Sequence, residues 1–414
     1  MYRAVHADRG GRILVTDHPA LAFDGARPVP FADAIPLPSD AAVVPVDREA
    51  LAAERSGRPR RLGAGRLVAA AILPAGYLRT QLPAYVDATD RADLPPRPYA
   101  AVAADDAGAL VVAALRIDSD ATHDASAYVR ADVAAHVDRG LRAHPGDRLV
   151  RQLARCAREY GCRAAANAFF GRWECALPVA APSNERPPAA VLPKRDGAAE
   201  PTEPAAFHPS VDEVAGLAIE HARSGGTLLA FGRACEGEPL LVAREVEAAA
   251  RRIRAETAAA TIHLETNGSL AAGLRRLAAA GVESVAVRMI SARAATYDTL
   301  HGPEGYRFPD VRATLRVAAE LRLSTSVLVL VLPGLFDRAE ELDALVSVLA
   351  ELPEGSAVLL RDLHADPFRA LALVPGHGAQ PIGVASAVAR IREELPHLRI
   401  GSFVRPLAKV PHVP

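Results

Sequence analysis

Residues 261–290 read TIHLETNGSLAAGLRRLAAAGVESVAVRMI, and the pattern in that stretch decides the fold. An apolar run from Thr261 to Glu265 stops at the turn signal Asn267-Gly268. Leu270, Leu274 and Leu277 then recur at helical spacing, and a β-branched run from Ser284 to Ile290 follows. Strand, turn, helix and strand in that order make one βαβ unit.

The alternation continues on both sides. Further strands are expected at Trp173 to Val179, Thr227 to Phe231, Ser326 to Val331 and Ala357 to Leu360. Unbroken runs of this kind belong to parallel strands buried on both faces. Helices between them are marked by Val211, Val214, Leu217 and Ala218, by Leu342, Leu345 and Leu349, and by Val384, Val388 and Ile391. Ser210 with Glu213 makes a capping box at the first of these. Six strand–helix units in series predict an α/β fold, a partial (β/α)6 barrel of the TIM type, with its chemistry in the loops after the strands.

A chain of 414 residues is long for one core. The text before Trp173 differs from the rest, and three segments are expected: a β-rich N-terminal module with a following helix over 1–145, a connecting helix over 146–172, and the barrel over 173–414. Tyr99 to Ala104 and Leu110 to Ile117 flank Asp105-Asp106-Ala107-Gly108, which predicts a hairpin. Helices are expected over 124–143 and 147–160, the second ended by Gly161.

Half of the residues are apolar and the formal net charge is -1, which leaves no electrostatic footprint for nucleic acid or an anionic membrane surface. The expected partner is a small molecule or another protein. Lys occurs only at Lys194 and Lys409, the other basic residues are Arg, and Ala is abundant, a bias of GC-rich bacterial coding sequence. The start, Met1 to Arg9, lacks the apolar core of a signal peptide, and no window reaches the roughly 18 apolar residues of a membrane span. A cytoplasmic protein is expected, and there Cys156, Cys162, Cys175 and Cys235 read as free thiols. None of their spacings is CxxC or CxxxCxxC.

The loops after the strands carry the functional signal. After the first comes Ser183-Asn184-Glu185-Arg186-Pro187-Pro188-Ala189-Ala190, inside a segment from Ala181 to Phe207 that holds Pro182, Pro187, Pro188, Pro193, Pro201 and Pro204. About 2 to 6 residues usually suffice there, so this segment is expected to be functional or mobile. After the second strand comes Cys235-Glu236-Gly237-Glu238-Pro239, after the third Thr266-Asn267-Gly268, and after the fifth Pro333-Gly334. Arg288 interrupts the apolar fourth strand, which is costly unless it is paired.

Taken in order, these loops resemble those of the radical S-adenosylmethionine superfamily, and more narrowly a bacterial group in which a β-rich module precedes the barrel. The likeness runs over nearly the whole chain and includes Arg148-Leu149-Val150, Cys156 to Asn167 and Gly171-Arg172-Trp173-Glu174. It implies a CxxxCxxC motif after the first strand, whose thiolates hold a 4Fe-4S cluster. This chain has Ser183, Pro187 and Ala190 at those positions, so the cluster is predicted absent and the adenosyl radical with it. The resemblance also implies a residual S-adenosylmethionine site at Gly237, Glu238, Pro239, Thr266, Asn267 and Arg288, with Glu238 facing the methionine ammonium, Arg288 near its carboxylate and Pro333-Gly334 beside the adenine.

Plainer readings stand beside these. Glu238 also suits the acidic first turn of a helix, and Asn267 a turn cap. Arg361, Asp362, His364 and Asp366 read as pocket lining or as surface loop. His263 and Glu265 share one face of the third strand and, with Glu238, offer zinc or iron ligands or a buried polar network. The four cysteines rebuild a cluster only if opposite rims of the barrel converge, and Cys235 alone reads as a reactive thiol at a helix N-terminus. The expected function is a degenerate, non-catalytic family member that binds a ligand or partner, a pseudoenzyme. The alternative is an enzyme using cluster-independent chemistry with S-adenosylmethionine or a metal.

Overall fold

Along each strand after Trp173 successive side chains fall on opposite sides of one sheet; over Thr261–Thr266 and Ser284–Met289 this sets apolar residues on one side and small or polar ones on the other. In the computed structural model, which describes residues 1–86, 92–123, 130–179, 182–191, 205–233, 237–374 and 380–408, seven strands form: β1 Glu174–Leu177, β2 Leu228–Phe231, β3 Thr261–Thr266, β4 Ser284–Met289, β5 Ser324–Val331, β6 Ala357–Asp362 and β7 Arg399–Gly401. They pair in parallel and in chain order, with Glu265 beside Ala286 and Ala286 beside Ser326. β1 and β7 do not pair, so the barrel is partial. Val404, which packs with Trp173, Leu228 and Leu359, helps to fill its interior.

Cys175, Leu229, Ile262, Leu264, Val285 and Val327 point outward into the main core beneath the helices. The inward set is Glu174, Leu228, His263, Glu265, Ala286, Arg288, Leu359 and Arg361, an interior in which charged and apolar side chains mix. The helices are α1 Arg130–Ala143, α2 Arg148–Glu159, α3 Arg163–Phe170, α4 Val211–Arg223, α5 Ala243–Glu256, α6 Ala271–Ala279, α7 Ala294–His301, α8 Phe308–Glu320, α9 Ala339–Leu349, α10 Pro367–Leu373 and α11 Val384–Glu394. Asp147 caps α2 by accepting from the Leu149 and Val150 N–H groups, and the Ser210–Glu213 capping box forms on α4. Arg148 grips Glu213 through two nitrogens, at 3.0 and 2.9 Å, and so ties α2 to α4.

Six strand–helix units were expected, and a seventh strand closes the series. Its three residues offer no apolar run to detect. α3, α5, α7, α8 and α10 were not marked by the apolar spacing, and α3, α7 and α10 have only seven or eight residues in which to show it. Positions 124–129 of the expected first helix lie outside the described residues.

Before the barrel, an antiparallel sheet runs in the order Tyr77–Arg79, Leu110–Arg116, Tyr99–Ala104, Arg3–Ala7, Leu67–Ile72, Ala42–Glu49, with Ile13–Pro19 and Ala34–Pro36 attached. The expected hairpin is present, Val102 opposite Val112, and Asp105 holds its turn by accepting the Ala109 N–H at 2.8 Å. A separate three-stranded sheet, Leu82–Pro83, Leu21–Phe23 and Pro28–Pro30, abuts the C-terminal rim of the barrel, where Phe23 and Leu82 pack with Leu332, Leu335 and Leu363. Arg79, fully buried, donates to the Leu363 carbonyl at 2.7 Å and lies 3.6 Å from Asp362. Gly25 and Gly334 meet backbone to backbone: a Cβ on Gly334, whose φ is +84°, would lie 2.3 Å from the Gly25 Cα. Only glycine permits that approach.

Candidate functional site at the barrel mouth

Residues 182–191 leave β1 and cross the C-terminal ends of the strands, where backbone bonds hold them. The Arg186 N–H donates to the carbonyls of His301 and Gly302, at 3.1 and 2.8 Å, and the Glu304 N–H donates to Asn184 at 2.8 Å. Gly302 has φ +55°, and a Cβ there would strike the Arg186 carbonyl at 2.2 Å. Ala190 is buried among Leu300, Leu332 and Leu363, and its carbonyl accepts the Asp366 N–H. The expectation of a mobile segment over 181–207 therefore fails for 182–191, because backbone pairing and burial anchor that part. Positions 181 and 192–204 lie outside the described residues.

Docking carries Glu185 down into the mouth. Its carboxylate accepts from Arg288 Nη2 at 2.9 Å, from His301 Nδ1 at 2.8 Å and from the Tyr306 hydroxyl at 3.1 Å. The Ile290 N–H donates to His301 Nε2 at 3.0 Å, so the ring carries its proton on Nδ1, toward Glu185. Tyr306 spends its proton on Glu185, so the 3.0 Å contact to Tyr297 is a bond that Tyr297 donates. Tyr297 in turn stacks on His301, 4.1 Å between centroids. Burial alone would raise the Glu185 carboxyl, but the His301 hydrogen bond and the Arg288 charge prevail and hold it at about 2. Arg288 is correspondingly held above the ordinary arginine value against the effect of its burial.

Glu238 stands at the next strand end and is buried. Oε1 accepts from the Leu240 N–H at 2.9 Å and from the Thr266 hydroxyl at 2.6 Å, and Oε2 accepts from the Asn267 N–H at 2.8 Å. It thus caps the short 3-10 turn Pro239–Val242 and ties the loop after β2 to the loop after β3. Burial nevertheless pushes its pKa up. Gly237 is half-buried just before it. Asn267 donates from Nδ2 to Asn184 at 2.8 Å and accepts the Ser269 N–H, so it reaches the docked segment as well. The six positions that the resemblance marks as a cofactor site do gather at one rim, and Glu238, Thr266, Asn267 and Arg288 all have partners from the chain itself.

Below them lies a second set of charges. Arg233, just past β2, pairs with Glu174 at 2.8 Å and with Glu265 at 3.2 Å. Arg361 reaches the same Glu265 oxygen at 3.5 Å and donates from Nε to the Ser402 carbonyl at 2.9 Å. His263 meets Ser284 at 2.9 Å through Nδ1, while its Nε2 has no partner among the described residues. Burial depresses its pKa to about 3, so the ring is neutral. Of the pocket candidates, Arg361 and Asp362 lie on β6 itself rather than after it, Arg361 pointing inward and Asp362 turning to Arg79, while Asp366 accepts the Leu94 N–H at 2.7 Å and caps α10, and His364 is exposed.

The 4Fe-4S cluster implied by the resemblance needs three convergent thiolates, and the described residues do not fit it. Ser183 spends its hydroxyl on the Glu185 N–H, and Pro187 and Ala190 have no donor atom. Cys175 faces the helical layer, where burial pushes its thiol up, and Cys156 sits on α2. Cys235 lies outside the described residues. Among them no three His, Cys, Asp or Glu side chains gather as a metal site; Glu238 faces the loops while Glu265 faces Arg233 and Arg361, so the zinc or iron trio does not form.

Reading by motif missed the partners that matter most. His301 and Tyr306 belong to the stretch YDTLHGPEGY over 297–306, where two tyrosines and a histidine flank Gly302-Pro303. That density of polar rings beside a helix stop was a signal. Arg233, directly after an apolar strand, was another.

No protein-family model and no curated protein matches the chain. Solved structures do. A radical SAM methyltransferase from Sphaerobacter thermophilus is 16% identical with a TM-score of 0.34, over 47% of this chain and 56% of that one. Methylornithine synthase is 11% identical at TM-score 0.37, over 64% and 73%. Streptococcus suis SuiB bound to S-adenosylmethionine is 10% identical at TM-score 0.37, over 54% and 47%. The chain thus spans about half the length of the methyltransferase and of SuiB.

Proposed function

We propose that this chain is a radical SAM-type barrel that has exchanged its cluster for an internal salt bridge and serves as a non-catalytic binding protein. One observation carries the reading: in the loop where the resemblance implies thiolates, Glu185 is drawn onto Arg288, His301 and Tyr306. An anchored carboxylate supplies what a cluster would otherwise give that loop, a fixed path across the mouth. Without the cluster no electron reaches a bound sulfonium, so homolysis to the adenosyl radical is closed. The residual S-adenosylmethionine site belongs to this proposal, with Arg288 as its contact to the methionine carboxylate. So do the division into an N-terminal module, a connecting helix and a barrel, and a cytoplasmic setting. Among the described residues no helix is long and apolar enough to cross a membrane.

The test joins iron and sulfide analysis after anaerobic reconstitution to calorimetry with S-adenosylmethionine. No cluster is expected, with weak binding that Arg288→Gln abolishes. Near four irons per chain, with absorbance near ~400 nm as in iron–sulfur proteins, would overturn the reading. Turnover of S-adenosylmethionine without iron would favour the cluster-independent enzyme instead.

A further inference from the structure

The formal net charge of -1 hides a local imbalance. Residues 49–66 read EALAAERSGRPRRLGAGR, with five arginines against two glutamates. The segment folds as an antiparallel pair of its own, Leu51–Ala53 with Pro59–Arg61, Leu51 opposite Arg61 and Ala53 opposite Pro59. Its inner strand is pinned: Ala52 and Ala53 are buried, and the Leu51 N–H donates to the Ala84 carbonyl at 3.1 Å. Gly57, at φ +84°, closes the turn by donating to the Glu54 carbonyl at 2.9 Å. A fixed backbone thus presents Arg55, Arg58, Arg60 and Arg61, and every residue from Glu54 to Arg61 is exposed.

Two more arginines join them. Ala50 donates to the Arg66 carbonyl and accepts the Leu62 N–H, each at 3.0 Å, which brings Arg66 back to the base of the hairpin. Beside it, a Cβ on Gly65 would lie 3.7 Å from Arg9 Nε. Little of this charge is spent. Arg61 lies 3.6 Å from Glu49, and Arg66 donates to the Leu62 carbonyl at 3.0 Å. Glu54 accepts from Ser56, and Asp8 accepts the Gly10 and Arg12 N–H groups. Arg9, Arg55, Arg58 and Arg60 have no side-chain partner among the described residues. Gathered, exposed and unpaired guanidiniums repel one another, and an arriving anion relieves that repulsion.

The chemistry narrows the partner. No aromatic side chain occurs in the stretch, so bases would find nothing to stack on. Pro59 has no N–H for the outer edge, which disfavours strand addition and leaves the side chains to make the contact. Asp8, Glu49 and Glu54 border the arginines, so a long polyanion would meet fixed carboxylates that a short acidic run avoids. We infer that this hairpin docks a short acidic segment of a protein partner, whose carboxylates are taken by the planar forks of Arg55, Arg58 and Arg60. The inference goes beyond the reading above and does not depend on the barrel mouth.

Fluorescence anisotropy on the full chain tests it, with labelled hexaglutamate as the probe, hexaglutamine as the neutral control and an oligothymidylate of equal charge as the nucleic-acid arm. Hexaglutamate should bind, and bind less as salt rises from about 0.1 to about 1 M and the Debye length falls from about 10 to about 3 Å. Hexaglutamine should not bind. Replacing Arg55, Arg58 and Arg60 together by Gln should weaken hexaglutamate about tenfold and leave the thermal midpoint in place, since none of the three has a partner to lose. Replacing Arg142, Arg322 and Arg392 by Gln removes the same charge from exposed positions elsewhere, and should keep the wild-type affinity. No binding by wild type, equal affinity of the two triple variants, or tighter binding of the oligothymidylate than of hexaglutamate would each overturn the inference.

Discussion

Replacing Glu185 by Gln tests whether this carboxylate holds the segment over the mouth. An ordinary glutamate near 4.5 and this one at about 2 differ by about 3 kcal/mol at 1.36 kcal/mol per pKa unit. The side chain is only 10% exposed, so solvent screening removes little of that. The figure agrees with the roughly 3–5 kcal/mol lost when one partner of a buried pair is removed. Hydrogen exchange over residues 183–191 is the direct assay, because the Arg186 N–H is bonded to His301 and Gly302 only while the segment is docked. A loss of about 3 kcal/mol is about a hundredfold in exchange rate where local opening governs it. The pH dependence has a definite sign. A depressed carboxyl supplies its stability in full above its ordinary pKa and loses it as pH falls toward the folded value. The difference between wild type and Glu185→Gln should therefore be full at neutral pH and shrink between about 4.5 and 2. Equal protection of 183–191 in both proteins at neutral pH, or a difference that does not shrink with acid, would refute the role given to Glu185.

Gly334→Ala should cost about 2 kcal/mol or more, because its Cβ would lie 2.3 Å from the Gly25 Cα at a φ of +84°; a thermal midpoint within a degree or so of wild type would count against the close seating of the N-terminal sheet on the rim. His263 bears on the acid limb: its pKa is depressed to about 3, so the unfolded chain binds a proton below about 6.5 that the folded chain refuses. Stability should fall with acid across that window by up to about 1.4 kcal/mol per pH unit, and denaturant titrations of His263→Gln should show a flatter slope there.

How much of this was legible can be traced residue by residue. Apolar runs, turn residues and cap spacing are local properties, and they identified six of the seven barrel strands, the hairpin at 99–116 and the α4 capping box. They missed β7, which has too few residues to show a period. The site was half legible. Glu238, Asn267 and Arg288 stand out as polar groups at the ends of buried strands, and that Ser, Pro and Ala stand at 183, 187 and 190 is plain in the text. What fills their place was not, because Glu185 meets His301 and Tyr306 across more than a hundred residues of chain, and nothing in its local context distinguishes it from any loop glutamate. The barrel, the β-rich stretch before it and the Ser, Pro and Ala at 183, 187 and 190 were thus legible in the sequence alone, since each follows from residue type and spacing. Only the tertiary structure decided that Glu185 takes Arg288, that Glu238 is spent on its own loops, and that Gly25 seats on Gly334. Each is a pairing of distant groups, settled by which partners burial leaves within reach.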